Sequence, residues 1–345
     1  VPRIRTALAL AAASVLVLTG CATNAAPAAG GGSSTAGAAG AFPVTIENAF
    51  GETTIAKKPE RVATVAWGNQ EAALALGVVP VGMPKVTWGD DDGDGVLPWV
   101  EDKLKELGAK TPTLFDEAQG IDFEGVADSR PDVILAAYSG LTREDYDKLS
   151  KIAPVVAYPK VAWGTTWQDM TITNGTALGL KTQAEDLVST LTKTLDDEVA
   201  KYPEIAGKKA MFSSFDPSNL SQIGFYTLED PRAKFLKDLG TVPPTTVEEQ
   251  SKSSKEFWIV NSTEDIEQFS DLQVLVTYGD DSTLAAMQAD PLLSRIPAVK
   301  NGAVVVLPSV NDSLAAAANP SPLSITDPHT SEFIKMLAEA AKKAS

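Results

Sequence analysis

Thr182-Gln183-Ala184-Glu185-Asp186-Leu187-Val188-Ser189-Thr190-Leu191-Thr192-Lys193-Thr194-Leu195-Asp196-Asp197-Glu198-Val199-Ala200-Lys201 is the longest clean helical pattern in the chain. Thr182 and Glu185 have the spacing of a capping box. Leu187, Val188, Leu191, Leu195 and Val199 then recur on one helical face. About 19 residues at 1.5 Å each predict a rod of about 28 Å. The rod falls near the middle of 345 residues, where a two-lobed protein needs a connector.

On both sides of it short strands alternate with short helices, which predicts parallel sheets covered on both faces. Before it, Val44 to Glu47 and Thr53 to Ile55 read as a hairpin. Arg61 to Ala66, Val78 to Val81, Asp132 to Ala137 and Pro154 to Tyr158 read as strands. Asn69 is placed to cap a short helix, and Pro98 to Leu107 reads as another. After the connector, Lys209 to Ser213, Leu272 to Thr277 and Ala303 to Leu307 are strand-like. Phe235 to Leu239, Ser262 to Phe269, Leu284 to Ala289 and Thr330 to Lys342 are helical. The expected fold is α/β: two Rossmann-like lobes, 42–180 and 205–345, joined by a helix over 181–204, with a ligand cleft between them.

The first forty residues differ. Arg3 and Arg5 precede an uncharged, mostly apolar run from Ala7 to Leu18. That run is short of the roughly 20 residues a membrane helix needs, and reads as a signal peptide over 1–20. It ends Leu18-Thr19-Gly20-Cys21, which resembles a bacterial lipobox with Cys21 as the lipidation site. Residues 22–41 are Ala-, Gly- and Ser-rich and uncharged, as a flexible tether would be. The expected location is the extracytoplasmic face of a cell membrane, lipid-anchored.

Composition removes several functions. Asp plus Glu is 45 against 29 Lys plus Arg, a net charge of −16, so no nucleic-acid partner is expected. One Cys and one His exclude a thiolate cluster and a site of several imidazoles. His329, at the edge of the last helix, reads as a surface or capping residue rather than a catalytic one. No nucleophile elbow and no phosphate-binding glycine loop occurs, so no enzyme is expected.

In open parallel sheets ligands bind beyond the carboxyl ends of the strands. Trp67, Tyr138 and Tyr278 each follow an expected strand, and Trp88, Trp163, Trp167, Phe225, Tyr226 and Trp258 lie in loop-like stretches. These nine, with Arg143 and Arg232, are the candidate ligand-binding residues. Each ring could instead plug its own lobe; as a group they suit a cleft gripping a bulky ligand. Asp90-Asp91-Asp92-Gly93-Asp94-Gly95-Val96, continuing to Glu101, fits a calcium loop with Asp90, Asp92, Asp94, Val96 and Glu101 as ligands of Ca²⁺. Pro98 at the ninth position and the lack of a preceding helix depart from that pattern, and a solvated acidic turn explains the same residues.

Lys58-Pro59-Glu60-Arg61-Val62, Glu71-Ala72-Ala73-Leu74-Ala75-Leu76-Gly77, Pro80-Val81-Gly82, Ile121-Asp122-Phe123-Glu124 and Arg130-Pro131-Asp132-Val133-Ile134-Leu135 carry a resemblance. It returns at Asp290-Pro291-Leu292, at Ile296-Pro297-Ala298-Val299-Lys300-Asn301-Gly302-Ala303-Val304, and at Asn319-Pro320-Ser321-Pro322. In these the chain resembles the substrate-binding lipoproteins of iron–siderophore ABC importers, relatives of the cobalamin-binding proteins, over about 300 residues. The resemblance implies a monomer that clasps a ferric siderophore between two lobes, closes little, and delivers it to a permease served by separate ATPase subunits. It also implies that Glu124 and Glu264 dock onto permease arginines. A chelated metal brings its own ligands, which agrees with a single His. The few cationic candidates and the negative balance point to a hydroxamate-type chelate rather than a tricatecholate. Haem or cobalamin capture, and an extracytoplasmic enzyme, are the alternatives.

Overall fold

The computed structural model describes residues 42–344 apart from 217 and 309–311. The signal peptide, Cys21 and the tether lie outside the described residues. Strands β1 (Val44–Asn48) and β2 (Gly51–Ile55) form an antiparallel hairpin. The first lobe then runs β3 (Val62–Thr64), α1 (Asn69–Ala75), β4 (Gly82–Pro84), α2 (Pro98–Glu106), β5 (Thr113–Phe115), α3 (Phe123–Asp128), β6 (Val133–Ala136), α4 (Arg143–Leu149), β7 (Val155–Ala157) and α5 (Trp167–Ala177). Its five strands are parallel in the order β5-β4-β3-β6-β7. The order reverses between β3 and β6, which makes that junction the topological switch point. Both strands are fully buried, and this is why their sequence reads as an unbroken apolar run rather than an alternation.

Helix α6 (Lys181–Val199) follows, 19 residues long. Leu191 and Leu195 of its apolar face are buried with Phe212, Val276 and Phe333 of the second lobe. Each such leucine contributes about 1.5–3 kcal/mol. The second lobe runs β8 (Ala210–Ser214), β9 (Gln222–Tyr226), α7 (Pro231–Asp238), α8 (Thr245–Ser253), β10 (Trp258–Ser262), β11 (Val274–Gly279), α9 (Thr283–Ala289), α10 (Pro297–Lys300), β12 (Val304–Pro308), α11 (Ser313–Ala317) and α12 (Pro328–Lys343). Its parallel sheet has the order β12-β11-β8, and β9 pairs with β10 as an antiparallel hairpin.

A second element also joins the lobes. Ala316 and Ala317 of α11 pack with Leu74, Met83 and Trp99 of the first lobe, while Leu314 and Ala315 pack with Phe212 and Val276 of the second. Alanine side chains are short enough for both cores to close on one helix. Ser313 Oγ donates to the Gly89 carbonyl at 2.8 Å from that helix.

Several local expectations are corrected. Thr182 does not cap α6: Ala184 N–H already donates to Leu180 O at 2.9 Å, so Thr182 lies inside the first turn. Asn69 does not cap α1, whose cap position is the left-handed Gly68. The run Val78 to Val81 is not a strand; Pro80 lacks an N–H to pair, and β4 begins at Gly82. Ser262 to Phe269 is a kinked 3₁₀ turn over Thr263–Phe269, with Ser262 capping it. Phe225, Tyr226 and Trp258 lie on strands rather than loops, and Trp167 opens helix α5. His329 does sit at a helix start, where Asp327 accepts from its N–H at 2.9 Å and meets its Nδ1 at 2.7 Å.

Candidate functional site

The site forms where the chain leaves β3 and β6. Asn69 fastens this junction: its Nδ2 donates to Val65 O at 2.9 Å, to Tyr138 O at 2.9 Å and to Trp67 O at 3.2 Å. Its Oδ1 accepts from Tyr138 N–H at 3.2 Å and from Asn174 Nδ2 at 3.1 Å. A buried amide that bonds through both ends leaves Trp67 and Tyr138 little freedom. This residue, read from the sequence as a cap, is therefore the brace of the site.

From Trp67 a series of rings runs across to the second lobe. Trp67 meets Trp88 at 5.8 Å between centroids, and Trp88 meets Tyr278 edge-on at 5.4 Å. Tyr278 meets Phe212 at 5.4 Å, Phe212 meets Tyr226 at 5.6 Å, and Tyr226 meets Trp258 at 4.8 Å. Beside the first members, Tyr138 meets Trp163 at 5.3 Å. Trp67, Trp88, Trp163, Tyr226 and Trp258 are half-buried, leaving ring surface for a ligand. Two glycines allow the close approach of rings to backbone. A Cβ on Gly140 would lie 2.1 Å from Trp163 Nε1, and one on Gly224 would lie 2.0 Å from Trp258 Cζ2.

Arg232 is the cation of this site. Its guanidinium carbon stands 3.7 Å from the centre of the Tyr226 ring. Its Nε and Nη2 donate to the two oxygens of Asp230 at 2.8 and 2.7 Å. The Asp230 side chain is wholly buried and that of Arg232 is 15% exposed. Burial opposes the guanidinium charge, but the Asp230 carboxylate outweighs it and fixes Arg232 as a cation. The pair presents donors with almost no net charge. Tyr138 reaches the same centre from the first lobe: Asn319 Nδ2 donates to its hydroxyl at 3.2 Å, and Asp230 and Arg232 both act on it. Burial pushes the Tyr138 and Tyr278 hydroxyls well above the usual range, so both stay protonated and able to donate.

On the same helix as Arg232, Lys234 Nζ donates to Gly164 O of the first lobe and Glu229 O of the second, each at 2.8 Å. Burial lowers its pKa. Gln168 Nε2 adds a bond to Asp238 at 2.9 Å. These bonds tie the two lobes together.

Eight sequence candidates come together here: Trp67, Trp88, Tyr138, Trp163, Tyr226, Trp258, Tyr278 and Arg232. Three do not. Trp167 is 2% exposed and packs among Leu195, Phe235 and Phe333. Phe225 is fully buried against Phe269 on the face of β9 opposite Tyr226. Arg143 stacks on Phe50 at 4.8 Å and donates to the Phe50 carbonyl, tying α4 to the β1–β2 hairpin. Phe212, Asp230, Asn69 and Asn319 were not read as site residues. Asp230-Pro231-Arg232 carried a usable signal, since a capping Asp followed by Pro folds the next side chain back toward itself.

Asp90, Asp92 and Asp94 bring carboxylate oxygens within 4.8 Å of one another. Asp90 accepts from Gly93, Gly95 and Asp92 N–H groups, which overcome the effect of burial and hold its carboxyl below the usual range. Asp94 accepts from Val96 N–H at 2.8 Å. Burial and the charges of Asp94 and Asp92 push Glu101 upward. No helix precedes the loop, as β4 ends at Pro84. Together these bonds form nested Asx turns that fasten the segment after Trp88.

Residues 62–310 match the family model for periplasmic binding proteins. The chain is a periplasmic binding protein. Among solved structures it is similar to PiaA of Streptococcus pneumoniae TIGR4 in complex with ferrichrome, at 47% identity and TM-score 0.83, over 87% of this chain and 99% of that one. A periplasmic solute binding protein of Mycobacterium smegmatis is similar at 26% identity and TM-score 0.67, over 86% and 98%. Among curated proteins, the iron(3+)-hydroxamate-binding protein YxeB of Bacillus subtilis is 22% identical over 269 residues, 76% of this chain and 77% of that protein. No helix among the described residues of this periplasmic binding protein is long and apolar enough to cross a membrane.

Proposed function

We propose that this periplasmic binding protein captures an iron–siderophore of the hydroxamate class outside the cell membrane and delivers it to an ABC permease. It binds and hands over without transforming its ligand. One observation carries the reading: a series of half-buried rings running from one lobe to the other, whose cation, Arg232, is already matched by Asp230. Such a surface suits a bulky chelate of low net charge, because a strongly anionic one would meet little uncompensated positive charge. The likeness to a ferrichrome complex at 47% identity supports the same class of ligand.

Cys21 would carry the lipid that keeps the protein at the membrane surface. Glu124, at the start of α3, and Glu264, in the 3₁₀ turn after β10, are both exposed and would meet arginines of the permease.

Tryptophan fluorescence titration with ferrichrome, a ferric tricatecholate, ferric citrate, haem and cobalamin tests the reading. Strong saturable quenching by ferrichrome, with weaker responses to the anionic chelates, is expected. Tighter binding of haem or cobalamin would overturn the ligand class.

A further inference from the structure

Strand β3 makes its last sheet bond at Val65, whose N–H donates to Leu135 O at 3.1 Å. The next residue, Ala66, is left-handed with φ 60°, although it carries a Cβ. L-residues with side chains avoid that region because the Cβ crowds the carbonyl oxygen. Gly68 is left-handed too, at φ 73°, so Trp67 stands between two reversed residues. What holds Ala66 comes from elsewhere in the sheet. Its N–H donates to Glu117 Oε2 at 2.9 Å. Glu117 lies just beyond β5, two strands away from β3.

The Glu117 carboxyl is held in an unfavourable place to do this. Its Oε1 is buried and has no hydrogen-bond partner among the described residues. Burial, with the negative charge of Asp122 adding to it, pushes the carboxyl up to about 7. A half-satisfied buried carboxyl costs stability, so the bond to the Ala66 amide is the contact that accounts for its position.

We propose that Glu117 is a positioning residue for ligand capture: it locks Ala66 in the left-handed conformation and so presents the Trp67 indole to the cleft. The inference rests on the cleft being the binding site. Asn69 holds the carbonyl of Trp67, Glu117 holds the amide before it, and the ring is left to meet Trp88 and the ligand.

The test combines Glu117→Ala, Glu117→Gln and Ala66→Gly. Trp67 emission is read in ligand-free protein, as the difference between each background with and without Trp67→Phe. Affinity is read with ferrichrome. Glu117→Ala shifts Trp67 emission and weakens ferrichrome binding about tenfold. Glu117→Gln keeps an acceptor oxygen and holds affinity within about twofold. Adding Ala66→Gly to Glu117→Ala recovers both readouts, because glycine enters the left-handed region without help. Unchanged Trp67 emission in Glu117→Ala overturns the proposal. A loss that Ala66→Gly does not recover also overturns it, since Glu117 would then act on the ligand or on folding directly. The emission arm needs no ligand. Failure of the wild-type protein to bind ferrichrome, with the emission pattern as expected, contradicts the ligand assignment and supports the role of Glu117.

Discussion

The Ser321 hydroxyl, on the segment after α11, donates to the buried carboxyl of Glu71 on α1. The same oxygen accepts from Trp99 Nε1 at 2.6 Å. A carboxyl of the first lobe is thereby closed in by the chain that returns from the second. Burial pushes Glu71 up to about 7, with the two hydrogen bonds acting the other way.

This gives stability a pH dependence of definite sign. In the unfolded chain Glu71 ionises near 4.5, and in the folded protein near 7. The stabilisation is full below about 4.5 and is lost as pH rises through 7, because the unfolded state releases its proton first. The loss is about 3 kcal/mol at 1.36 kcal/mol per unit. Glu71→Gln should flatten this dependence and stabilise the protein above pH 7. Denaturant unfolding at pH 5, 6, 7 and 8 measures it, and an unchanged slope in the variant would remove Glu71 as its source.

Arg232 and Asp230 should set ligand charge preference. Arg232→Ala removes the donor fork and should weaken ferrichrome binding by about tenfold or more, for a loss of about 1.5–3 kcal/mol. Asp230→Asn leaves the guanidinium unmatched. It should raise the affinity for a ferric tricatecholate relative to ferrichrome by about tenfold, the equivalent of about 1.4 kcal/mol. Calorimetric titration of both ligands checks this, and an unaltered ratio would show that the pair does not face the ligand.

Gly224→Ala should disturb one ring and little else. The new Cβ would fall 2.0 Å from Trp258 Cζ2, so the indole must leave its 4.8 Å contact with Tyr226. Overpacking of this kind costs about 1–3 kcal/mol. Ligand quenching should fall while the far-ultraviolet circular dichroism is unchanged. Retained quenching would place Trp258 outside the ligand's reach.

Glu124→Ala and Glu264→Ala should leave ferrichrome affinity unchanged and abolish iron uptake by cells that depend on this protein. Lost binding in either variant would mean that the residue belongs to the cleft rather than to a docking surface.

The fold was largely legible because its strands are buried on both faces and so stand out as apolar runs, as in Val133–Ala136. Trp67 and Tyr138 were legible as candidates for the same reason: each follows such a run; in the structure Asn69 bonds to the backbone of both. Side-chain direction was harder. Phe225 and Tyr226 are neighbours in sequence, yet the two-residue period of β9 sends one into the core and the other onto Arg232 and Trp258. Trp163 and Trp167 are four apart, and only the second falls where α5 turns it inward. Arg143 looked like a free cation because its partners, Phe50 and Tyr146, meet it only after the hairpin folds onto α4. Asn69 and Glu117 were illegible as braces, since their partners are made by β6 and β3, distant in sequence.

The proposed function requires above all that the ligand arrive as a metal already enclosed by its own donors. Calorimetric titration with ferrichrome, with its gallium(III) counterpart, and with ferric ion held by a weak buffering chelator tests it most directly. One-to-one binding of the iron and gallium complexes with matching affinity is expected, with no heat from the buffered ion. Tight uptake of the buffered ion alone would contradict it.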